Sequence, residues 1–364
     1  MTSWSPQQDA AIKAVRHWLK DKHQQVFYLA GFAGTGKTTL ARELAGGVKG
    51  KVLFGAFTGK AALVLRRKGC AGASTLHSLI YSLDETEGWE PKFKLNPASE
   101  VAHAKLVVID ECSMVGEELG RDLLSFGTKV LVLVDPAQLP PVKGEGFFTA
   151  REPDVMLTEV HRQARDNPII AMSMTVREGG RLDLGTYGSS RVIRRADVDT
   201  ADVLTADQVL VGINRTRQSY NTRMRHLKGM DPAGPQSGDR LVCLRNNREK
   251  KLLNGGLWTV RSVIERDATA VTLHAVSDDT VETKPTEVRV RHEFFQGREK
   301  EVPWEALRGF DQFTWGYALT VHKSQGSQWD DVIVFDESRA FPEHRANHLY
   351  TAITRAAQRV TVVQ

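Results

Sequence analysis

The chain has 364 residues, 41% of them hydrophobic and 26% charged, which is enough for two or three domains with their own cores and is the composition of an ordinary globular protein. No apolar run approaches the roughly 18 residues of a membrane span, the first residues lack a basic-then-apolar signal pattern, and Cys70, Cys112 and Cys243 form no C-x-x-C pair that would suggest a zinc knuckle or disulfide framework. A reducing cytoplasm is the expected location, and a net charge of +5 with a pI near 9.0 gives mild support to a polyanionic partner.

In chain order, Ser5-Pro6 ahead of Ile12, Val15, Trp18 and Leu19 predicts a capped amphipathic helix with proline at its first position. Val26-Phe27-Tyr28-Leu29-Ala30 predicts a buried strand. Gly31-Phe32-Ala33-Gly34-Thr35-Gly36-Lys37-Thr38 follows it, and Thr39-Leu40-Ala41-Arg42-Glu43-Leu44 then reads as helix. Strand, glycine-rich loop, Lys-Thr and helix form a phosphate-cradling P-loop in its expected context. The glycines let backbone N–H groups close around phosphate oxygens, and the helix N-terminus adds donors and partial positive charge. Lys37 is expected to reach the β- and γ-phosphates, with the Thr38 hydroxyl on Mg²⁺.

Further strands are expected at Lys51–Ala56, Lys105–Ile109 and Lys129–Val134, the last two each followed by aspartate. Continuous apolar strands alternating with helices predict a doubly wound parallel sheet. A polar excursion from about Tyr81 to Glu100 reads as an inserted hairpin. A fresh α/β pattern begins near Leu157, and from about Gly238 to Arg308 short strands separated by Asn, Gly and Asp suggest a small β-barrel insert. The α/β pattern resumes at Val332–Asp336 and closes at Arg359–Val363. With no second P-loop, two α/β domains would share one nucleotide site. The expected boundaries are 1–156 for the first domain (hairpin about 80–104), 157–238 and 310–364 for the second, and 239–309 for the insert.

Asp110-Glu111 ends a buried strand downstream of the P-loop, so Asp110 can hold Mg²⁺ opposite Thr38 while Glu111 polarises water. Asp135-Pro136-Ala137-Gln138-Leu139-Pro140-Pro141-Val142 ends the next strand. There Gln138 can orient water near the γ-phosphate, or the segment can simply be a rigid loop. Arg162 and Arg355, taken alone, fit surface ion pairs as well as arginine fingers. His344 and His348 are four apart, but Glu343 precedes the pair and the H-E-x-x-H pattern fails, so no metal is expected there.

The order of these motifs resembles the superfamily 1 helicases of the 5′-to-3′ RecD-like and Dda-like branch. Gly31 to Thr39 is similar to motif I, Ala56-Phe57-Thr58-Gly59-Lys60-Ala61-Ala62 to motif Ia and Ser74-Thr75-Leu76-His77 to motif Ib. Asp110 to Met114 resembles motif II, Asp135 to Val142 motif III, Arg162 the motif IV arginine, Ala318 to Gln328 motif V and Tyr350 to Arg355 motif VI. Val134 stands where motif III often has glycine.

The resemblance implies two RecA-like parallel-sheet domains of the P-loop type, with a β-hairpin insert in the first and a small SH3-like β-barrel insert in the second. ATP would lie between the domains, with Gln8 reading adenine and Gly34, Thr35, Gly36, Lys37, Thr38, Thr39 and Gly326 around the nucleotide. Lys37, Glu111, Gln138, Arg162 and Arg355 would be catalytic. Single-stranded DNA would touch Thr58, Lys60, His77, Thr320, His322 and Ser324. Asn214 and Asn221, in a basic stretch with Arg215, Arg217, Arg223 and Arg225, could bind phosphates or form a solvated helix face. Trp89 or Phe93 is the candidate tip of a strand-separating pin, since base stacking on an aromatic is worth roughly 1–3 kcal/mol.

The expected activity is an ATP- and Mg²⁺-dependent 5′-to-3′ DNA helicase, monomeric, acting on single-stranded DNA and on single-strand/duplex junctions. A single-strand-binding protein is a candidate partner. Because Gln8 comes almost at once, a free-standing motor is expected. The rivals are a translocase that strips proteins but unwinds poorly, an ATP-binding scaffold without turnover, and an RNA-directed motor.

Overall fold

The structure is a computed structural model that describes residues 4–84, 92–140, 146–149, 151–159, 166–247, 249–278 and 284–364. It divides into two units, the first comprising Met1–Leu182, Gln325–Ser327 and Ala346–Thr354, the second Asp183–Ser324, Gln328–Arg345 and Arg355–Gln364.

The first unit opens with α1 (Pro6–Trp18), whose start is fixed by a reciprocal cap. The Gln8 backbone N–H donates to Ser5 Oγ, and the Ser5 N–H donates to Gln8 Oε1, so two helix-end donors are satisfied at once. Strands β1 (Val26–Gly31), β2 (Val52–Ala56) and β3 (Ser74–Thr75) follow, then β4 (Tyr81–Asp84), β5 (Lys92–Leu95), β6 (Leu106–Asp110), β7 (Val130–Val134) and β8 (Val155–Leu157). Six of them form a parallel sheet in the order β3-β2-β6-β7-β1-β8.

Alternation along these strands feeds two cores. Phe27, Leu29, Val108, Leu131 and Leu133 face α1, α2 (Lys37–Gly46) and α3 (Gly59–Arg67). Tyr28, Ala30, Val107, Ile109 and Val132 pack on the opposite face with α4 (Leu76–Ile80) and α5 (Glu117–Leu124). A sheet covered on both faces needs apolar residues at nearly every strand position, which is why these strands read as continuous apolar runs.

The extent of the first unit departs from the expected plan. The first unit runs on through α6 (Pro168–Arg177) to Leu182, past the boundary expected near 157. The physical reason begins with β8, whose residues 155–157 pair in parallel with β1. The expected hairpin is present as the antiparallel pair β4–β5, registered Tyr81 with Leu95 through Asp84 with Lys92.

The second unit holds another six-stranded sheet. Its strands are β9 (Gly185–Tyr187), β10 (Ser190–Ile193), β11 (Gln208–Val211), β17 (Ala318–Thr320), β18 (Trp329–Phe335) and β19 (Ala356–Val363). The order is β17-β11-β18-β19-β10-β9, parallel except for the β9 edge. The intervening strands β12 (Arg240–Cys243), β13 (Leu257–Arg266), β14 (Ala270–Ser277), β15 (Thr286–Arg291) and β16 (Phe313–Trp315) form a five-stranded antiparallel sheet in the order β15-β14-β13-β12-β16. Its core includes Leu241, Trp258, Val271, Leu273, Val288 and Phe313. The helices of this unit include α7 (Thr200–Thr205), α8 (Asn214–Leu227) and the short α9 (Val321–Ser324); the last helix, α10 (Arg345–Ile353), lies mostly in the first unit.

Helix α8 buries a polar face. Arg217, Asn221, Met224 and Arg225 recur at helical spacing and are buried. Arg225 forms a bidentate pair with the fully buried Asp239, at 2.8 and 2.9 Å, and its guanidinium lies 3.8 Å from the Trp315 ring centroid. Asn221 donates to the Ala318 carbonyl and accepts the Ala318 N–H. The basic stretch expected as a phosphate surface is thus half structural. Arg217, Asn221 and Arg225 are spent inside the unit, while Arg215 and Arg223 are exposed.

Candidate functional site

The P-loop leaves β1 at Gly31, where a side chain has no room. A Cβ would stand 2.6 Å from Thr35 Oγ1 and 3.0 Å from Leu157 Cβ. Gly34 and Gly36 have φ of 79° and 80°, the left-handed region that glycine adopts without steric cost. Gly36 then caps α2, so Lys37, Thr38 and Thr39 form that helix's first turn. Lys37 folds back over the loop and donates to the Gly31 and Phe32 carbonyls at 2.5 and 3.0 Å. Its Nζ lies 3.7 Å from Asp135 Oδ2.

Beside this loop, Thr38 Oγ1 donates to Asp110 Oδ2 at 2.9 Å. Asp110 Oδ1 accepts the Glu111 N–H at 2.9 Å, and Glu111 sits at φ 52°, ψ 44°. A glutamate in the left-handed region is uncommon and bears a backbone cost. The turn aims it off the end of β6 instead of continuing the strand. A hydroxyl and a carboxylate oxygen are the hard donors that suit a small divalent cation such as Mg²⁺, so the residues present fit that ion.

Gln8 is 2% exposed, and its amide is occupied at both ends: Nε2 donates to the Thr35 carbonyl at 2.9 Å while Oε1 serves the α1 cap. Each end keeps one further donor or lone pair. The following loop is held from α10 and from the short Gln325–Ser327 segment. Tyr350, 1% exposed, accepts the Ala33 N–H at 2.8 Å and donates to Asp135 Oδ2 at 3.0 Å. Burial first, and then the Asp135 charge, raise its phenol above the ordinary range. Thr351 Oγ1 accepts the Leu139 N–H, Gln325 Nε2 donates to the Leu139 carbonyl, and Asn347 Nδ2 donates to the Ala137 carbonyl. Gln138 lies in this loop. Gly326, at φ 73°, is pressed against α3, where a Cβ would stand 2.7 Å from Ala61 Cβ.

The residues expected on DNA are less uniform. In the first unit Thr58 caps α3 by accepting the Ala61 N–H, and Lys60 is 4% exposed. His77 lies between the Phe57 and Tyr81 rings, and burial lowers its pKa. In the second unit Asn214 is exposed, with its side-chain oxygen accepting from Arg217. Thr320 is buried and Ser324 is fully buried, donating to the Val321 carbonyl. His322 packs on Phe341, and burial followed by the His344 charge lowers its pKa. Arg355 is buried in the second unit. Trp89 and Arg162 lie outside the described residues, as does the side chain of Phe93. The geometry therefore joins Gln8, the P-loop residues and Asp110 by hydrogen bonds, with Glu111 next to Asp110 in the chain and Gln138 in the loop after β7. Tyr350 and Asp135 stood inside quoted motifs without an assigned role, and no spacing rule pairs them.

This is the phosphate-binding architecture of a P-loop ATPase. Residues 3–198, more than half of the chain, match the family described as AAA domain, and residues 316–363 match the UvrD-like helicase C-terminal domain. The chain belongs to the AAA-domain family, within the superfamily 1 helicases of the RecD-like and Dda-like branch. It is 29% identical over 359 residues to the ATP-dependent RecD2 DNA helicase of Deinococcus radiodurans, covering 91% of this chain and 46% of that protein. The chain thus spans about half the length of that relative. It is 30% identical to the ATP-dependent DNA helicase dda of Enterobacteria phage T4, over 47% of this chain and 42% of that one. The fold matches that of a Pif1 helicase from Bacteroides solved with ADP-AlF3 and ssDNA, with a TM-score of 0.58 at 18% identity, over 99% of this chain and 92% of that one.

Proposed function

We propose that the protein is an ATP-dependent DNA helicase that moves 5′-to-3′ along single-stranded DNA and opens duplex ahead of it. The observation that carries the reading is the set Lys37, Thr38–Asp110 and Glu111 at the C-terminal edge of one parallel sheet, from the start of α2 and the end of β6, within a chain whose motifs run in helicase order. Both relatives described above bear the name of ATP-dependent DNA helicase.

The proposed chemistry gives each residue a role. Lys37 exchanges its two carbonyl partners for the β- and γ-phosphates, whose charge it neutralises better than a neutral carbonyl can use it. Thr38 and Asp110 would hold Mg²⁺, which supplies charge neutralisation on the phosphates when bound. Glu111 accepts a proton from the attacking water, and Gln138 orients that water. Arg162 and Arg355 supply positive charge to the transition state, a contribution of about 10³–10⁵ in rate where such fingers operate. On the DNA side, exposed Asn214 and the half-buried His77 and His322 have surface to offer a strand. Thr58, Thr320 and Ser324 act by shaping their loops, since their hydroxyls are engaged or buried. Trp89 or Phe93 is proposed to tip the pin.

The test is unwinding of a forked duplex carrying either a 5′ or a 3′ single-stranded tail, with Glu111→Gln alongside. Separation from the 5′ tail alone, lost in the variant with ATP binding retained, is the expected result. DNA-stimulated ATPase without separation from either tail would replace the helicase reading with that of a translocase.

A further inference from the structure

Arg177, the last residue of α6, belongs to no motif considered so far. Its guanidinium lies over the ring of the second residue of the P-loop, with its carbon 3.7 Å from the Phe32 ring centroid. Both residues line a cavity of about 290 Å³ whose wall also includes Pro136, Asn347 and Tyr350. One guanidinium nitrogen, Nη2, donates to Glu178 at 2.9 Å. The other, Nη1, is buried and has no acceptor among the described residues.

That arrangement is unusual in a finished fold. Arginine carries five donors and stays charged at all ordinary pH values, and a buried N–H without an acceptor is a cost that a folded chain normally avoids. Acceptors on the same loop as the cavity-lining Pro136 are already engaged. The Asp135 carboxylate takes the Tyr350 hydroxyl and the Ala137 N–H and lies near Lys37, and the Ala137 carbonyl takes Asn347. The Phe32 ring holds the guanidinium in place on the cavity wall. What fits there is a small, multiply charged group rich in oxygen acceptors. The cavity wall includes a residue of the P-loop itself, which makes a phosphate the acceptor that this position meets.

We propose that Arg177 is a phosphate-binding residue of the ATP site, contributed by the same unit as the P-loop, and that its Nη1 takes the terminal phosphoryl group of the nucleotide. This rests on the ATP-site reading above and adds a cation that the motif order does not provide. The chemistry has two sources, the γ-phosphate of bound ATP or inorganic phosphate after hydrolysis. In either case Arg177 distinguishes triphosphate from diphosphate, because only the terminal group reaches it.

The experiment measures displacement of a fluorescent ADP from the full chain by ADP and by a non-hydrolysable ATP analogue, for wild type, Arg177→Met and Arg177→Lys. Melting temperature serves as the check on folding. A charge-assisted hydrogen bond predicts that Arg177→Met weakens the triphosphate roughly tenfold or more while ADP changes less than about twofold, with Arg177→Lys intermediate. A second arm adds inorganic phosphate to the ADP complex. Tighter ADP binding in wild type, abolished in Arg177→Met, assigns the cavity to released phosphate; no effect, with the triphosphate loss intact, assigns it to the bound γ-phosphate. Equal loss for both nucleotides, or no loss for either together with no Arg177-dependent effect of phosphate, overturns the proposal and leaves Arg177 as a stacking residue. If Arg177→Met does not fold, Arg177→Lys decides, since unaltered discrimination between ATP analogue and ADP in that variant also overturns it. Wild-type protein that binds neither nucleotide overturns the ATP-site reading itself, and this inference with it.

Discussion

Replacing Tyr350 with phenylalanine removes one oxygen and, with it, two bonds that join distant parts of the chain. The Ala33 N–H, in the P-loop, loses its acceptor at 2.8 Å, and Asp135 loses a donor at 3.0 Å. The ring is 1% exposed, so water does not readily replace the hydroxyl. A buried donor left unmade costs about 1–3 kcal/mol. Asp135 keeps the Ala137 N–H on its other oxygen and the nearby Lys37, so its loss falls at the lower end. Together these give a destabilisation of roughly 2–4 kcal/mol, a large share of the 5–15 kcal/mol typical of a domain. Urea denaturation should be followed with and without nucleotide, so that the transition of the P-loop unit is recognised by its ligand dependence. The same variant leaves Asp135 to pair more closely with Lys37, so ATP should bind more weakly, with KM rising more than kcat falls. A Tyr350→Phe protein within about 0.5 kcal/mol of wild type, with unchanged KM, would refute the idea that this hydroxyl positions the loop.

Two further outcomes follow from the geometry. Gly31→Ala forces a Cβ to within 2.6 Å of Thr35 Oγ1 and 3.0 Å of Leu157 Cβ. Overpacking of this kind costs about 1–3 kcal/mol, and fluorescent-ADP titration should show at least a tenfold loss of affinity. Equal affinity would mean that the loop relaxes freely. In the second unit Lys323 is an exposed residue, but desolvation around its amine and then the charge of Arg217 lower its pKa to about 8, against an ordinary value of 10.5. Below pH 8 both folded and unfolded chains carry this proton and the folded state bears the full penalty. Between 8 and 10.5 the unfolded chain still binds the proton while the folded chain releases it, so this group makes stability rise with pH across that window, by much less than the full shift implies because the side chain is exposed and solvent screens its charge. Lys323→Met should flatten that rise in urea titrations at several pH values, and an identical pH profile would show that the lysine titrates normally.

The residues that touch nucleotide in this reading were legible because their geometry is local. A strand, a glycine-rich turn and a helix start lie within some twenty residues, and the backbone angles that cradle phosphate are dictated by Gly34 and Gly36 themselves. Asp110-Glu111 was legible for the same reason, since a carboxylate pair at the end of a continuous apolar run must emerge at the C-terminal edge of a parallel sheet. The buried strands and the inserted hairpin were readable from apolar runs and turn residues.

Tertiary structure alone decided the rest. Ala33 and Tyr350 are 317 positions apart, and no periodicity connects them. Helix α8 reads as an exposed basic face, open to phosphates or to solvent, yet Arg217, Asn221 and Arg225 are buried in it. Their partners, Glu299, the Ala318 backbone and Asp239, arrive from elsewhere in the chain. A buried charge is tolerated only when an opposite charge and hydrogen bonds meet it, and those partners are set by chain topology. Gln8 shows the same division: its place at the helix start follows from the Ser5-x-x-Gln8 pattern, whereas its bond to Thr35 exists only because α1 folds against the P-loop.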